Sequence, residues 1–300
     1  MRRDRGLFTV ILTLCLGTLG AATVEPARAA DCGDGIGPCR CGDRVVTNTR
    51  LGGSDPVLTI TCPCDGLIVA SGVSLEIGGT ITGQSDACSG ILIEGNATGV
   101  AVTDGRITGF GLGVDGDSLG AASGNRFANL QIRGGFAGFL LTGDANVVES
   151  NVVRDALVAG LMLIGNGNTV RLNRAEGAVL AGLTVVGEAN AISRNVASRN
   201  SGEGIALSGA DNAAELNRAN YNGRAGFVVE GMGLTVRRNI GTSNALDGFE
   251  IDASASTFDR NRSDSNGLFG IADTGTGNIY VDNRCTGNDL GPSNPPDLCR

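Results

Sequence analysis

Apolar residues recur along this chain with a fixed 22-residue period. The glycine in the segment AGFLLTG, Gly138, is an anchor whose equivalents follow at Gly160, Gly182, Gly204, Gly226, Gly248 and Gly270. The first and third residues after an anchor are apolar in nearly every copy, and a spacing of two is typical of the buried side of a β-strand. Further inward columns fall at the tenth and fifteenth positions after the anchor. The pattern predicts an all-β solenoid, a parallel β-helix with three short strands per coil.

A column of asparagines lies at the thirteenth position after the anchors. It comprises Asn129, Asn151, Asn173, Asn195, Asn217, Asn239, Asn261 and Asn283. An asparagine amide both donates and accepts hydrogen bonds, so identical side chains can bond along a stack. Asparagine also tolerates the left-handed backbone that a sharp corner needs. We therefore predict a structural asparagine ladder. A shorter column, at the eighteenth position, contains Asn200, Asn222, Asn244, Asn266 and Asn288.

The repeat is looser before Gly138. Earlier anchors fall at Gly113, Gly90 and Gly66, and the segment GVDGDSLGAASGN after Leu112 is expected to hold a three-residue insertion. This alignment predicts about ten coils over residues 66–288. We expect residues 30–65 to form a disulfide-rich N-terminal cap and residues 289–300 a C-terminal cap.

Residues 1–29 have the pattern of a secretory signal peptide. Three arginines precede an apolar stretch, and Ala27-Arg28-Ala29 forms an A-x-A cleavage site. The apolar stretch is short for a membrane span, so we expect no membrane association after cleavage. The mature protein is then periplasmic or extracellular.

Cysteine use agrees with export. Beyond the signal there are eight cysteines, an even number, which implies disulfides in an exported chain. They lie near the two ends of the mature chain. We expect Cys285 to pair with Cys299, and the remaining six to pair among themselves in an open connectivity: Cys32, Cys39, Cys41, Cys62, Cys64 and Cys88.

Composition narrows the classes of partner. The net charge is −8, with no histidine, and all basic residues are arginine. An acidic protein without a basic patch is a poor nucleic-acid binder, so we expect no nucleic-acid partner. No cofactor other than calcium is indicated, and the oligomeric state is left open.

The repeat motif G-[FIL]-x-[LVI]-x-G, followed by asparagine, an apolar residue and the asparagine corner, resembles the right-handed parallel β-helix repeats of the pectate-lyase-like superfamily. The resemblance covers residues 66 to about 288. That superfamily includes polysaccharide lyases, pectin hydrolases, alginate epimerases, phage tailspikes and periplasmic copper-site maturation proteins, so the repeat implies a fold and no particular chemistry. The Gly-His-Gly motif of the hydrolase branch is absent here, and no catalytic residue can be carried over.

Acidic residues appear late on the outward side of the first strand. Glu230 and Asp252 occupy one column on adjacent coils, and Glu250 lies two positions before Asp252. Stacked carboxylates repel each other unless a cation or a raised pKa relieves them. The trio is therefore a candidate sugar site, or a calcium site at Glu230 and Asp252. The alternative is a solvated acidic face. Leu140, Met162 and Val228 form an outward apolar strip, a second candidate surface.

Three functions are compatible with these observations. The first is an exported protein that binds polysaccharide or an envelope partner without a recognisable catalytic motif. The second is a calcium-dependent polysaccharide lyase with arginine as base. The third is a structural or assembly protein of the periplasm. The lack of histidine, lysine and tryptophan argues against well-equipped catalysis, so whether the protein is an enzyme is left open.

Overall fold

The computed structural model describes residues 30–300, so the predicted signal peptide lies outside the described residues. These residues form parallel β-strands and one short 3-10 helix, Pro56–Leu58. The strands join into one continuous sheet that winds around a solenoid with three faces. Among the described residues, no helix has the length and apolarity to cross a membrane.

The first face contains the anchor glycines. Its strands are Asp31–Cys32, Asp43–Val45, Leu67–Val69, the end of Thr80–Ile93, the end of Ala101–Gly116, Ala137–Thr142, Ala159–Ile164, Ala181–Val186, Glu203–Ala210, Phe227–Met232, Phe249–Ser254, Phe269–Asp273 and Gly291–Asn294.

The second face leads to the asparagine corner. Its strands are Thr49–Leu51, Ser74–Ile77, the start of Ala101–Gly116, the start of Arg126–Arg133, Val147–Glu149, Thr169–Arg171, Ala191–Ser193, Ala213–Glu215, Thr235–Arg237, Thr257–Asp259 and Ile279–Val281.

The third face follows the asparagine corner. It comprises Thr61–Cys62, further parts of the three long strands Thr80–Ile93, Ala101–Gly116 and Arg126–Arg133, and then Val152–Arg154, Arg174–Glu176, Val196–Ser198, Arg218–Asn220, Ile240–Thr242, Arg262–Asp264 and Arg284–Thr286.

The predicted registers hold through the regular coils. Phe139 pairs with Leu161 and Leu161 with Leu183, so each step has the predicted length. Strands within residues 30–65 and 289–300 also pair in parallel with the coils, so both segments extend the solenoid as well as covering it. The stack therefore has about eleven coils, one more than the pattern predicted.

Four disulfides lie at the two ends of the solenoid. The bonds are Cys32–Cys39, Cys41–Cys62, Cys64–Cys88 and Cys285–Cys299. The six N-terminal cysteines thus pair in the order in which they occur along the chain. Such a set is typical of proteins that fold in an oxidising compartment.

The asparagine ladder is buried inside the corner between the second and third faces. Each member from Asn151 to Asn261 donates from its side-chain nitrogen to the Oδ1 atom of the next, at 3.0–3.2 Å. The same Oδ1 atom accepts a second bond from the backbone N–H of the preceding asparagine, as between Asn195 and Asn217 at 2.9 Å. The donors and acceptors of the corner are therefore paired within the protein.

Asn129 does not belong to this ladder, and that prediction is wrong. Asn129 is exposed and donates to Asp104 Oδ1 at 3.0 Å. The ladder position on its coil is held by Leu130, whose N–H donates to Asn151 Oδ1. The cause is a step that is one residue shorter here than in the regular coils, since Val148 pairs with Phe127.

The left-handed backbone also lies one residue from where we expected it. In the regular coils, positive φ occurs at the residue before each ladder asparagine, such as Leu172 at 59° and Arg194 at 55°. Asn129, at 57°, occupies that preceding position. The ladder asparagine is thus selected for its inward amide, and its neighbour makes the turn.

Two further asparagine columns are buried at the other corners. The column from Asn200 to Asn288 repeats the side-chain ladder at 2.9–3.0 Å. The asparagine that follows the last glycine of the repeat motif forms the other column, which joins the first and second faces and contains Asn125, Asn146, Asn168, Asn190 and Asn212. Its signal was present in the sequence, because these asparagines recur at almost constant spacing.

Candidate functional site

The outward residues of the first face change from apolar to acidic along the stack. In the early regular coils its outward residues are apolar and buried: Leu140 and Met162 are 4 % and 1 % exposed. They form a small apolar cluster, separate from the core, with Val158 and the half-buried Phe136 and Leu180, which precede the anchor glycines. Leu140 and Met162 are therefore not available as a surface for a partner. Because this cluster is closed, the candidate site lies in the later coils.

The later coils bring the three predicted acidic residues together. We call Glu230, Glu250 and Asp252 the acidic patch. Glu230 pairs in register with Asp252, and Glu250 pairs with the half-buried Val228 on the same two strands. Burial raises the pKa of Glu230 above its usual range, and the charges of Asp252 and Glu250 raise it further. The three carboxylates therefore interact, and one of them retains its proton more readily than a free glutamate.

A fourth carboxyl group, which the sequence analysis missed, lies on the same outer side. Glu203 is buried at the start of its strand, where the other regular coils have alanine, aspartate or phenylalanine. Its Oε1 atom accepts from Arg224 at 2.8 Å, and burial raises its pKa despite that arginine. The charge of Glu250 also raises the pKa of Glu203, which links Glu203 to the acidic patch.

Two buried oxygens beside the patch have no hydrogen-bond partner among the described residues. They are Glu203 Oε2 and Thr184 Oγ1. Glu203 pairs in register with Ala181, and Thr184 pairs with Ala206, so both lie on the same two adjacent strands. The only signal for Glu203 in the sequence was an acidic residue in a column of mostly alanines, which is too little to identify it.

The acidic patch does not present a compact set of metal ligands. Within residues 30–300, the only three potential ligand groups that lie within 4.8 Å of one another are Cys64, Asp65 and Cys88. The two cysteines form a disulfide and cannot bind a metal as thiolates. Calcium binding by Glu230 and Asp252 stays a prediction.

The outer side of the third face has a different chemistry. Glu176 accepts hydrogen bonds from Arg174 at 2.5 Å and from Ser198 at 3.1 Å. The bond from Arg174 is the main cause that lowers the pKa of Glu176 below its usual range, and Arg154 adds to the effect. The carboxylate of Glu176 is therefore already paired within the protein.

A surface groove follows the corner that contains the column from Asn200 to Asn288, where the third face turns into the first. It has a volume of about 480 Å³ and is open to solvent. Tyr221 lies at one end and Asp289 at the other, with Ser243 and Ser265 between them. Tyr221 is 61 % exposed and is one of only two tyrosines in the chain. We call this surface the corner groove.

The architecture and the ladders define a protein of the parallel β-helix class. The family described as the right-handed β-helix region matches residues 137–286, which is half of the chain. The chain therefore belongs to the right-handed β-helix family. None of the curated proteins compared with the sequence matches it.

Solved structures share the fold at low sequence identity. A double mutant of the periplasmic alginate epimerase AlgG has a TM-score of 0.58 at 14 % identity, covering 84 % of this chain and 73 % of that one. AlgG itself has a TM-score of 0.51 at 13 % identity, covering 82 % and 80 %. A variant of the catalytic domain of a GH87 alpha-1,3-glucanase, in complex with nigerose, has a TM-score of 0.51 at 11 % identity, covering 87 % and 68 %. At these identities the likeness shows the fold alone.

Proposed function

We propose that this protein is exported and binds polysaccharide on the outer side of its first face, at the acidic patch. The observation that carries the proposal is the gathering of Glu203, Glu230, Glu250 and Asp252 on one side of adjacent coils, with raised pKa values for Glu203 and Glu230. Repelling carboxylates are relieved by a ligand that donates hydrogen bonds to them.

A polysaccharide supplies such donors, because every sugar ring carries several hydroxyl groups. The negative charge favours a neutral polymer over an acidic one, since a uronate chain would be repelled. Polysaccharide as the general class of ligand is supported by the similar solved structures, which include an alginate epimerase and a glucanase variant in complex with nigerose. The four disulfides and the N-terminal signal pattern support an exported location.

Binding to soluble polysaccharides tests the proposal. Affinity electrophoresis in gels that contain laminarin, dextran or alginate gives a retardation for each polymer. We expect a neutral polymer to retard the protein more than alginate does. The triple variant Glu230→Gln, Glu250→Gln, Asp252→Asn should lose at least about tenfold in affinity, because the amides replace strong acceptors by weaker ones.

Glu188→Gln is the control for loss of a single carboxylate outside the patch. Glu188 is exposed and forms no ion pair among the described residues. The substitution therefore changes the net charge by one and leaves the patch intact. Its retardation should equal that of the wild type. If no neutral polymer retards the wild-type protein, the proposal is wrong.

Calcium binding is the second candidate for the acidic patch, favoured by the effect of Asp252 and Glu250 on the pKa of Glu230. A cation bound to the folded state raises the melting temperature by mass action. We expect millimolar calcium to do so in the wild type and not in the variant Glu230→Gln, Asp252→Asn. An equal rise in the melting temperature of both proteins would mean that calcium binds elsewhere.

A further inference from the structure

The corner groove contains a residue that its backbone position does not favour. Tyr221 has a φ of 58°. The equivalent residues of other coils also have positive φ and are aspartate, glycine, arginine or serine: Asp155, Gly177, Arg199, Ser243, Ser265 and Gly287. Tyr221 is the aromatic member of this column, and its backbone position turns the side chain outward at the corner.

The tyrosine ring is largely open to solvent. The Arg199 guanidinium approaches the ring centroid to 5.8 Å from the preceding coil. On the next coil, the same column holds only the small side chain of Ser243. The ring therefore has an occupied side, which orients it, and a side toward the groove, where its neighbours among the described residues are small.

The groove beyond Tyr221 is long and shallow. It crosses four coils as far as Asp289, which at the usual strand spacing is a length of about 14 Å. Glycine at Gly223 and Gly267 lets neighbouring coils approach closely along the groove, because a Cβ atom there would come within 2.2–2.3 Å of a backbone oxygen of the preceding coil. Ser243, Ser265 and Asp289 line it with hydroxyl and carboxylate groups.

We propose that the corner groove is a second sugar-binding subsite, in which one ring of a neutral oligosaccharide stacks on Tyr221 and the following rings hydrogen-bond to Ser243, Ser265 and Asp289. An aromatic side chain packs against the apolar face of a sugar ring while its hydroxyl stays hydrated. The length fits a short run of sugar rings, and the polar groups fit hydroxyl ligands. This inference rests on the proposed function and assigns a separate surface to it.

Tyrosine fluorescence reports directly on this surface, because the chain has no tryptophan and the second tyrosine, Tyr280, is stacked on Phe258. Cellotetraose and laminaritetraose serve as probes. We expect a bound probe to protect tyrosine emission from acrylamide quenching in the wild type and not in Tyr221→Ser. By calorimetry, Tyr221→Ser should bind about tenfold more weakly, whereas Tyr221→Phe, which keeps the ring, should stay within about threefold.

Tyr221→Ser is expected to fold, because serine occupies the same backbone position in the next two coils. Leu216→Ser, at an exposed turn residue with φ of 58°, is the matched control and should bind as the wild type does. If a probe binds the wild type but neither quenching nor Tyr221→Ser affinity changes, the subsite is wrong and the proposed function stands. If neither tetrasaccharide nor any neutral polymer binds the wild type, both are wrong.

Discussion

The inside corners and the outer faces of this solenoid differ in how strictly their residues repeat from coil to coil. At the asparagine corner, every regular coil has the same residue with the same bonds, and Asn195 and Asn217 are interchangeable in their environment. On the outer side of the first face, the equivalent positions change from Met162 to Thr184 to Glu250. Because the corners already hold the register, the outer positions are free to vary in chemistry. Functional sites are therefore expected at positions that depart from the repeat, and residues that stabilise the fold at positions that keep it.

The largest expected effect comes from breaking the ladder at its centre. In Asn217→Ala, the N–H and side-chain nitrogen of Asn195 lose their acceptor, and the carbonyl of Ile192 loses its donor. The free energy of unfolding should fall by about 2–3 kcal/mol, because these groups remain buried. Arg194→Ala, at an exposed neighbouring position, should cost under about 0.5 kcal/mol. Denaturant unfolding measures both, and equal losses would contradict the ladder.

Neighbouring ladder positions should not act independently. Asn195 and Asn217 share two bonds, so the double alanine variant should lose less than the sum of the single losses. A pair four coils apart, Asn151 and Asn239, shares none and should be additive. The same denaturant experiments give the interaction free energy. Additivity in both pairs would mean that each asparagine acts alone.

A smaller effect is expected on the paired outer face. The pKa of Glu176 is lowered in the folded protein, so its ionised form contributes stability that is present at neutral pH and lost as the pH falls. Glu176→Gln should therefore be less stable than the wild type by about 1 kcal/mol at pH 7. The difference should disappear in acid, where Glu176 is protonated. A constant difference across pH would assign the loss to packing.

The smallest effect should have the opposite sign. The pKa of Glu230 is raised in the folded protein, so ionisation at neutral pH opposes folding. Glu230→Gln should be slightly more stable than the wild type at pH 7. Below the usual glutamate range, folded and unfolded states both hold the proton, and the two melting temperatures should converge. A destabilised Glu230→Gln at neutral pH would show that the patch is already neutralised within the protein.

The regular coils could be predicted from the sequence because each inward position repeats at a constant interval. The coil before Gly138 could not. The stretch from Gly113 to Phe127 is four positions longer than the equivalent stretch from Gly138 to Val148, and the segment that leads into Gly138 is one position shorter than usual. The sequence reveals only the net lengthening of the step from Gly113 to Gly138, because a loop insertion and a shortened turn partly offset each other. Asn129 was misplaced by one position for this reason.

The candidate site was harder to predict than the fold. Glu230 and Asp252 were identified because they share a column, which periodicity reveals. Glu203 was missed because its link to the patch runs across two coils and between different columns. Tyr221 was missed because exposure and groove depth depend on the small neighbours of a turn, such as Gly223, and not on an alternating pattern. Periodicity thus predicts what repeats, and the outer sites are defined by single departures from it.

The constant step between the coils from Gly138 onward has a consequence for how such a protein changes in evolution. Each coil contacts mainly the one before and the one after it, through bonds that are the same at every step. Duplication of one whole coil in the gene would lengthen both ladders and every outer column by one unit without disturbing the others. An insertion or deletion that is not a whole number of coils would shift the register of all later columns. The chain can therefore extend its surface only in discrete increments, each of which adds a new row of outward positions open to selection.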